Sequence, residues 1–216
     1  MIDIINKFRE NRNEEEAIKM AKYMKNQFNF LGIRTSKRRE FQKVFLKSID
    51  SKEPINKVWI LQLWSYNYRE FQYLAIDYLI HKKRLLTKEH IKLIETLIVT
   101  KSWWETVDTI APNLVGYLCK EYPELVSEYI IPWATNENIW LRRTAILYQL
   151  KYKDQVNIDV LEYVIEKNSN DNEFFIRKSI GWALRQYSKS NPEWVRAFIA
   201  THKLSNLSIK EGSKYL

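Results

Sequence analysis

The chain has 216 residues, 45% of them hydrophobic and 28% charged. This is close to ordinary globular usage and argues against an intrinsically disordered protein. Only 4 Gly and 5 Pro are present, too few turn-forming residues for a protein built from many short strands. Lysine and arginine outnumber aspartate and glutamate by 35 to 26, and the net charge of +9 favours a polyanionic partner such as nucleic acid.

Several classes of site and location are disfavoured. Cys119 is the single cysteine, so neither an internal disulfide nor a thiolate metal site is expected. The three histidines, His81, His90 and His202, show no ligand spacing. The N-terminus lacks the pattern of a signal peptide, and no run approaches the roughly 18 apolar residues of a membrane span. We therefore predict a cytoplasmic protein, monomeric by default, without a metal, a cofactor or a membrane partner.

Apolar residues recur at helical spacing along most of the chain. A helix with one apolar face is predicted over residues 14–28, where five apolar residues recur every three or four positions: Ala17, Met20, Ala21, Met24 and Phe28. A second is predicted to follow a cap at Thr35 and Ser36. Further helices are predicted at 55–65, 67–83, 87–98, 102–121, 124–133, 138–152, 157–167, 173–188 and 192–201. Within 102–121, Pro112 predicts a kink rather than two helices.

The helices carry an internal repeat. Aligning NIWLRRTAIL from position 138 with EFFIRKSIGW from position 173 puts Trp140 on Phe175 and Arg143 on Lys178, at an offset of about 35 residues. SWWETVDTIA puts Trp104 one step earlier. A stacked two-helix unit of about 35–40 residues is typical of HEAT-like solenoids. The sequence therefore predicts an all-α protein in which residues 1–216 form a single HEAT-like repeat domain.

Equivalent helices of a solenoid line up and form a concave surface. Here those helices and the residues after them carry repeated cations: Arg142, Arg143, Lys151, Lys153, Arg177, Lys178 and Arg185. Any one of these residues could belong to a solvated basic face. Their repetition favours a wall that follows a phosphate backbone. We therefore predict a concave basic DNA-binding face, with Lys151, Arg177 and Arg185 on the backbone.

The stretch SWWETVDTIAP contains the residues best suited to chemistry. Trp104 and Asp108 are four residues apart, so on a helix they project from one face about one turn apart. An indole face beside a carboxylate suits a cationic guest. The structural alternative is that Trp104 packs in the core and that Asp108 is exposed or pairs with a neighbouring arginine. By pattern alone, Trp182 and Tyr23 are also predicted to be packing residues.

Five blocks of sequence carry a family resemblance: AKYMKNQFNFLGI (21–33), REFQYLAIDYL (69–79), LIVTKSWWETVD (97–108), NIWLRRTAILYQLKYK (138–153) and FFIRKSIGWALRQY (174–187). They are long, ordered and correctly separated, so chance agreement is a poor explanation. The chain resembles the HEAT-repeat alkylpurine DNA glycosylases, the AlkD family, along nearly its whole length. It departs from them in its N- and C-terminal stretches.

The resemblance implies that Asp108 is the catalytic carboxylate. It also implies that Trp104 and Trp182 form an aromatic cleft around the damaged nucleotide, that Arg143 is the basic member of this cleft, and that Tyr23 lies near the DNA strand. The implied substrate is duplex DNA with a purine alkylated at N3 or N7, and the implied product is an abasic site. Such a base is already a cationic leaving group and needs no general acid, in keeping with the expected lack of any histidine or second carboxylate in the site.

Other functions remain as alternatives. The first is a non-catalytic DNA binder of the same superfamily that recognises distorted or branched duplexes. The second is a protein-binding helical scaffold, which predicts a concave face of mixed charge with exposed apolar anchors rather than repeated arginine pairs. A membrane-surface role is disfavoured, because no helix combines a basic side with an exposed side of large apolar residues.

Overall fold

The fold was analysed in a computed structural model, which describes residues 2–50 and 52–216. Within these ranges the regular elements are helices, and the one extended pairing is an isolated bridge between Asn29 and Tyr68. The all-α prediction is therefore confirmed. None of the helices in the described residues combines the length and apolar character that crossing a membrane requires.

The helices fall into two compact units, one ending at Leu86 and the other beginning at Thr87. The first contains α1 (Ile2–Glu10), α2 (Glu14–Tyr23), α3 (Thr35–Ser48), α4 (Lys57–Ser65), α5 (Arg69–His81) and a 3-10 turn (Lys83–Leu85). The second contains α6 (His90–Val99), α7 (Trp104–Ile110), α8 (Gly116–Glu121), α9 (Ile131–Trp133), α10 (Ile139–Leu147), α11 (Ile158–Glu166), α12 (Phe174–Tyr187), α13 (Pro192–Thr201) and α14 (Asn206–Gly212). The prediction of one repeat domain over 1–216 is not tested by this division and stays a prediction.

Helix boundaries differ from the prediction at several places. The helix predicted over residues 14–28 is too long, because α2 ends at Tyr23, and the helix predicted over residues 138–152 is too long, because α10 ends at Leu147. Lys25 and Asn26 have φ angles of 58° and 57°, and this left-handed conformation cannot continue a right-handed helix. Helices α1 and α14 were not predicted at all. They have 9 and 7 residues.

The segment after α7 stays helical as far as Glu121, but its pitch changes. Residues Ala111–Val115 form a π-type turn that leads directly into α8. Pro112 lies within this turn and has no N–H to donate to the preceding turn. The irregularity therefore falls at the position predicted for the kink, and α7 and α8 follow one helical path.

In the first unit, α5 anchors the loop that follows α2. The buried Glu70 carboxylate accepts backbone N–H bonds from Leu31 (2.9 Å), Gly32 (2.9 Å) and Ile33 (3.1 Å). Gly32 has a φ of +85°, and a Cβ there would lie 1.9 Å from the Asn13 carbonyl oxygen. Only glycine fits this approach. The loop after Tyr23 is thereby fixed against the core of its unit.

In the second unit, α10 is the central helix and packs against α7 on one side and α12 on the other. The positions that the repeat equates meet in this layer. The ring centroids of Trp140 and Phe175 are 5.2 Å apart, and Trp103 joins them at 5.8 Å and 5.3 Å. Trp103, rather than the aligned Trp104, therefore continues the aromatic ladder that holds α7, α10 and α12 together.

Candidate active site

The site is built on the short helix α7. Trp103 precedes it with extended backbone (φ −160°) and places its ring in the aromatic ladder. Thr106, Val107 and Ile110 are buried on the inner side of the helix. These anchors fix the rotation of α7, so that Trp104 and Asp108 lie on the other side and are only half-buried. The predicted placement of both residues on one helix, four positions apart, is what the fold shows.

Asp108 is held by Arg143 in a two-pronged ion pair. Nε of Arg143 donates to Oδ1 at 2.7 Å, and Nη2 donates to Oδ2 at 2.9 Å. The exposed fractions of the two side chains are 4% for Arg143 and 15% for Asp108. Parallel bonds of this kind fix the plane of a carboxylate as well as its position. The structure therefore brings together the predicted carboxylate and the predicted basic residue.

Arg143 is itself fixed from a third helix. Its Nη1 donates to the backbone carbonyl of Phe175 in α12, and its guanidinium carbon lies 5.8 Å from the Phe175 ring centroid. All its described partners are internal, and the residue is buried. Arg143 consequently supports the carboxylate in this conformation, and three of its N–H groups are used within the chain.

The pKa of the Asp108 carboxyl is raised above its ordinary value of 3.8, chiefly by burial. The Arg143 guanidinium acts in the opposite direction, and the charge of Glu105 adds to the rise. Glu105 lies one turn before Asp108 on α7, at the spacing of neighbours on a helix surface. Glu105 is therefore a second carboxylate near Asp108 that the sequence analysis did not name. The signal was visible in the i, i+3 spacing of SWWETVD.

Trp182 lies on α12 and is half-buried. It is seven residues after Phe175, which puts both side chains on nearly the same face of the helix. Within residues 2–50 and 52–216, the indole of Trp182 has no hydrogen bond and no ring contact. A buried structural tryptophan ordinarily finds such a partner. Trp182 thus has neither a hydrogen bond nor a ring partner among the described residues, and its place in the cleft stays a prediction.

Comparison with known proteins identifies the family of the chain. The profile of the DNA alkylation repair enzymes matches residues 4–216. The chain belongs to this family. A protein from Enterococcus faecalis described as a predicted DNA alkylation repair enzyme is 36% identical, with a TM-score of 0.88 over 95% of this chain and 96% of that one.

More distant structures share the fold of this DNA alkylation repair protein. AlkD2 from Streptococcus mutans is 19% identical, with a TM-score of 0.62 over 85% of this chain and 90% of its own. The protein smu.31 from Streptococcus mutans UA159 is also 19% identical, with a TM-score of 0.62 over 84% and 92% of the two chains. The curated proteins contain no match. The helical-repeat fold is thus that of AlkD-type repair proteins.

A DNA alkylation repair protein needs cations that can contact phosphate. Whether a cation is available depends on whether it already has a partner within the protein. In the second unit most of the predicted backbone contacts already have internal acceptors. Lys151 donates to the Asn113 side chain, Arg177 to Asn172 and the Asp171 carbonyl, and Arg185 to Glu211 at 2.9 Å. Arg142 is also paired, with Asp171 at 2.9 Å, and so is Lys178, with Glu211 at 2.7 Å. Lys153 forms no such bond within residues 2–50 and 52–216. The sequence could not show this pairing.

Tyr23, the fifth residue of the predicted cleft, belongs to the first unit of this repair protein. It is the last residue of α2 and is 68% exposed. The turn that follows it is left-handed at Lys25 and Asn26, and Glu70 anchors the loop beyond. Tyr23 is therefore presented to solvent by a fixed helix end, and its role near DNA stays a prediction.

One group of potential metal ligands lies apart from this cleft. Glu162 and Glu166, one turn apart on α11, each have a carboxylate oxygen 3.4 Å from Nε2 of His202. The three ligand atoms lie within 4.8 Å of one another. Sequence spacing missed the group because His202 follows a different helix. Exposed acidic groups of this kind are common without any metal.

Proposed function

We propose that this protein is a monofunctional DNA glycosylase that hydrolyses the N-glycosidic bond of cationic alkylated purines in duplex DNA. The observation that carries the proposal is the geometry of Asp108: a largely buried carboxylate, fixed by two bonds from Arg143 and one helical turn from Trp104. Membership of the DNA alkylation repair family supplies the DNA substrate. Trp182 supplies an unengaged aromatic face.

The chemistry suits a single fixed negative charge. When the bond between C1′ and the base nitrogen breaks, its electron pair moves to the base and neutralises the base's positive charge. The positive charge then develops on the deoxyribose, which becomes oxocarbenium-like. A carboxylate held in advance stabilises that charge without having to reorganise. Water then bonds to C1′ and loses its proton, which leaves an abasic site and a free base.

Each residue has a distinct role in this scheme. Asp108 faces the sugar and orients the attacking water. Arg143 is a positioning residue, because it holds the carboxylate plane and keeps the group ionised. The ring faces of Trp104 and Trp182 attract the cationic base. One fixed charge of the Asp108 kind contributes about 3–4 kcal/mol to transition-state stabilisation, or roughly a hundred- to a thousandfold in rate.

The remaining features follow from this reaction. A base that leaves as a neutral molecule requires no protonation, so no general acid is needed. No lysine nucleophile is required either, so the strand stays intact after base release. We propose lesions of the N3-methyladenine and N7-methylguanine type, a monomeric enzyme without a cofactor, and action in the cytoplasm.

The test is base release from a duplex with a single N7-methylguanine, followed by alkali to reveal abasic sites. Strand cleavage after alkali, and intact strands before it, is the expected result. Cleavage before alkali contradicts the monofunctional mechanism. A duplex with N3-methyladenine serves as the second substrate. Tight duplex binding without release from either lesion would replace the proposal with the non-catalytic DNA binder.

A further inference from the structure

Helix α3, in the first unit, concentrates positive charge. Its 14 residues include one acidic residue, Glu40, and five basic residues: Lys37, Arg38, Arg39, Lys43 and Lys47. Three of these recur every four positions, namely Arg39, Lys43 and Lys47. On a helix, successive members lie about 6 Å apart along the axis and on neighbouring parts of one side. We call these three residues the α3 stripe.

The α3 stripe has no internal partner among the described residues, unlike the cations of α10 and α12. All three side chains are exposed, and no carboxylate in residues 2–50 and 52–216 pairs with them. Arg38, by contrast, is buried and donates to Asp77 and Gln42, both at 2.8 Å. In the second unit, Arg142, Arg143 and the cations around Glu211 are likewise paired. The stripe therefore offers three full charges for an external anion.

The stripe borders an open groove between α3 and α5. The other lining residues are Gln42, Leu46, Asp77, Ile80 and His81. The carboxylate of Asp77 is already neutralised by Arg38, so it does not repel an incoming anion. Gln42 is 2% exposed, and its Nε2 has no hydrogen-bond acceptor in the described part of the chain. A buried donor without an acceptor is uncommon in a folded protein.

The length of the α3 stripe favours an extended polyanion over a small anion. The α3 stripe extends about 12 Å along its helix, too far for one small anion to contact all three side chains. A DNA strand presents one phosphate about every 3.4 Å of its axis, so several phosphates pass such a stripe. Exposed lysine and arginine side chains on a phosphate strand release counterions, which makes the contact favourable and sensitive to salt.

We propose that the α3 stripe and its groove form a phosphate-backbone site for duplex DNA, additional to the cleft around Asp108. The proposal rests on the proposed function in one respect, that duplex DNA is the substrate. It also assigns DNA binding to three cations that the alignment of the repeats did not identify. The contact is independent of sequence and lesion, because it involves phosphates rather than bases.

The test is the salt dependence of binding to an unmodified duplex. The triple variant Arg39→Gln/Lys43→Gln/Lys47→Gln is compared with a control of equal charge loss, Lys92→Gln/Lys203→Gln/Lys210→Gln, at exposed sites in the second unit. All six side chains are exposed, and circular dichroism verifies folding. The slope of log K against log salt is expected to shrink by about 2.7, or 0.9 for each lost phosphate contact. The control should keep the wild-type slope.

The outcomes separate this proposal from the glycosylase. An equal slope in the wild type and the α3 variant overturns the α3 site, whatever the base-release assay shows. If the α3 variant shows a reduced slope and the wild type releases no base, the α3 site is supported and the glycosylase is overturned. If the α3 variant instead loses affinity for polyglutamate while its DNA slope stays unchanged, the stripe binds an acidic protein and the proposal fails.

Discussion

Replacing Arg143 separates its role as a support for Asp108 from a role as a phosphate contact. In Arg143→Met the apolar side chain keeps much of the volume, but the Asp108 carboxylate loses both of its bonds. Breaking a buried pair by removing one partner typically costs 3–5 kcal/mol. Since 15% of the Asp108 side chain is exposed, water can reach part of the group. We expect a loss at the lower end, about 3 kcal/mol.

A double-mutant cycle isolates the pair. Asp108→Asn keeps the shape but removes the charge, and leaves Arg143 with a neutral acceptor. The double variant Asp108→Asn/Arg143→Met contains no buried charge at this place. Unfolding free energies from urea titrations should show that the double variant is more stable than the sum of the two single losses predicts, by about 2 kcal/mol, which lies within the range for residues in direct contact.

The same variant shifts the pH dependence of catalysis. The ionised form of Asp108 stabilises the transition state, so base release should fall as acid protonates the carboxyl. Burial raises this pKa and Arg143 lowers it. In Arg143→Met the pKa rises further, and the acid limb of the single-turnover rate should move to higher pH. Additive stabilities together with an unmoved acid limb would refute the supporting role.

Two further predictions concern α12. Trp182→Ala should reduce kcat/KM by a factor equivalent to about 1–3 kcal/mol, the usual value of base stacking on an aromatic ring. Its loss of stability should be small, because the indole has no hydrogen bond and no ring contact in the described residues. Trp194→Ala removes a ring stacked on Phe198 at 4.8 Å and should instead lower stability with little effect on kcat/KM. Glu211→Gln should release Lys178 and Arg185 and steepen the salt slope of DNA binding by up to about 1.8. Glu193→Gln, at an exposed ion pair, is its control, and a slope equal to that of the control would show that these cations face away from DNA.

Part of the fold could be predicted because its signals are local. The apolar period gave the helix class, and the equivalence of Trp140 and Phe175 by sequence became a ring contact of 5.2 Å. Periodicity cannot choose between adjacent tryptophans, however. The ladder contains Trp103, which leaves Trp104 on the side of Asp108. This choice depends on how α7 rotates against α10, and that rotation is set by packing in three dimensions.

The resemblance identified the residues of the site but not their mutual bonds. Pairing of Asp108 with an arginine was considered only as the structural alternative to catalysis. The two interpretations are compatible, because the ion pair with Arg143 also fixes the position of the Asp108 carboxylate. The pairing of the basic repeat was equally hidden. Glu211 belongs to α14, a helix that was not predicted, and lies 26 residues from Arg185 in sequence.

Composition gives the net positive charge of the chain, but it does not show which cations are paired and which are free. The cations of α12 are balanced internally, whereas those of the α3 stripe are free among the described residues. A net charge of +9 predicted an anionic partner but not its place of contact. The partners of each cation come from different helices, and only the folded chain brings them together.

The most direct test of the central claim is the single-turnover release of N7-methylguanine by wild type and by Asp108→Asn, with duplex affinity measured alongside. The account predicts a roughly hundred- to thousandfold slower release in the variant, with duplex affinity close to that of wild type. Asparagine keeps the size of aspartate and one of its two acceptor oxygens, so the variant removes the charge and one of the two bonds from Arg143. Equal release rates in the two proteins would contradict the account and remove Asp108 from the mechanism.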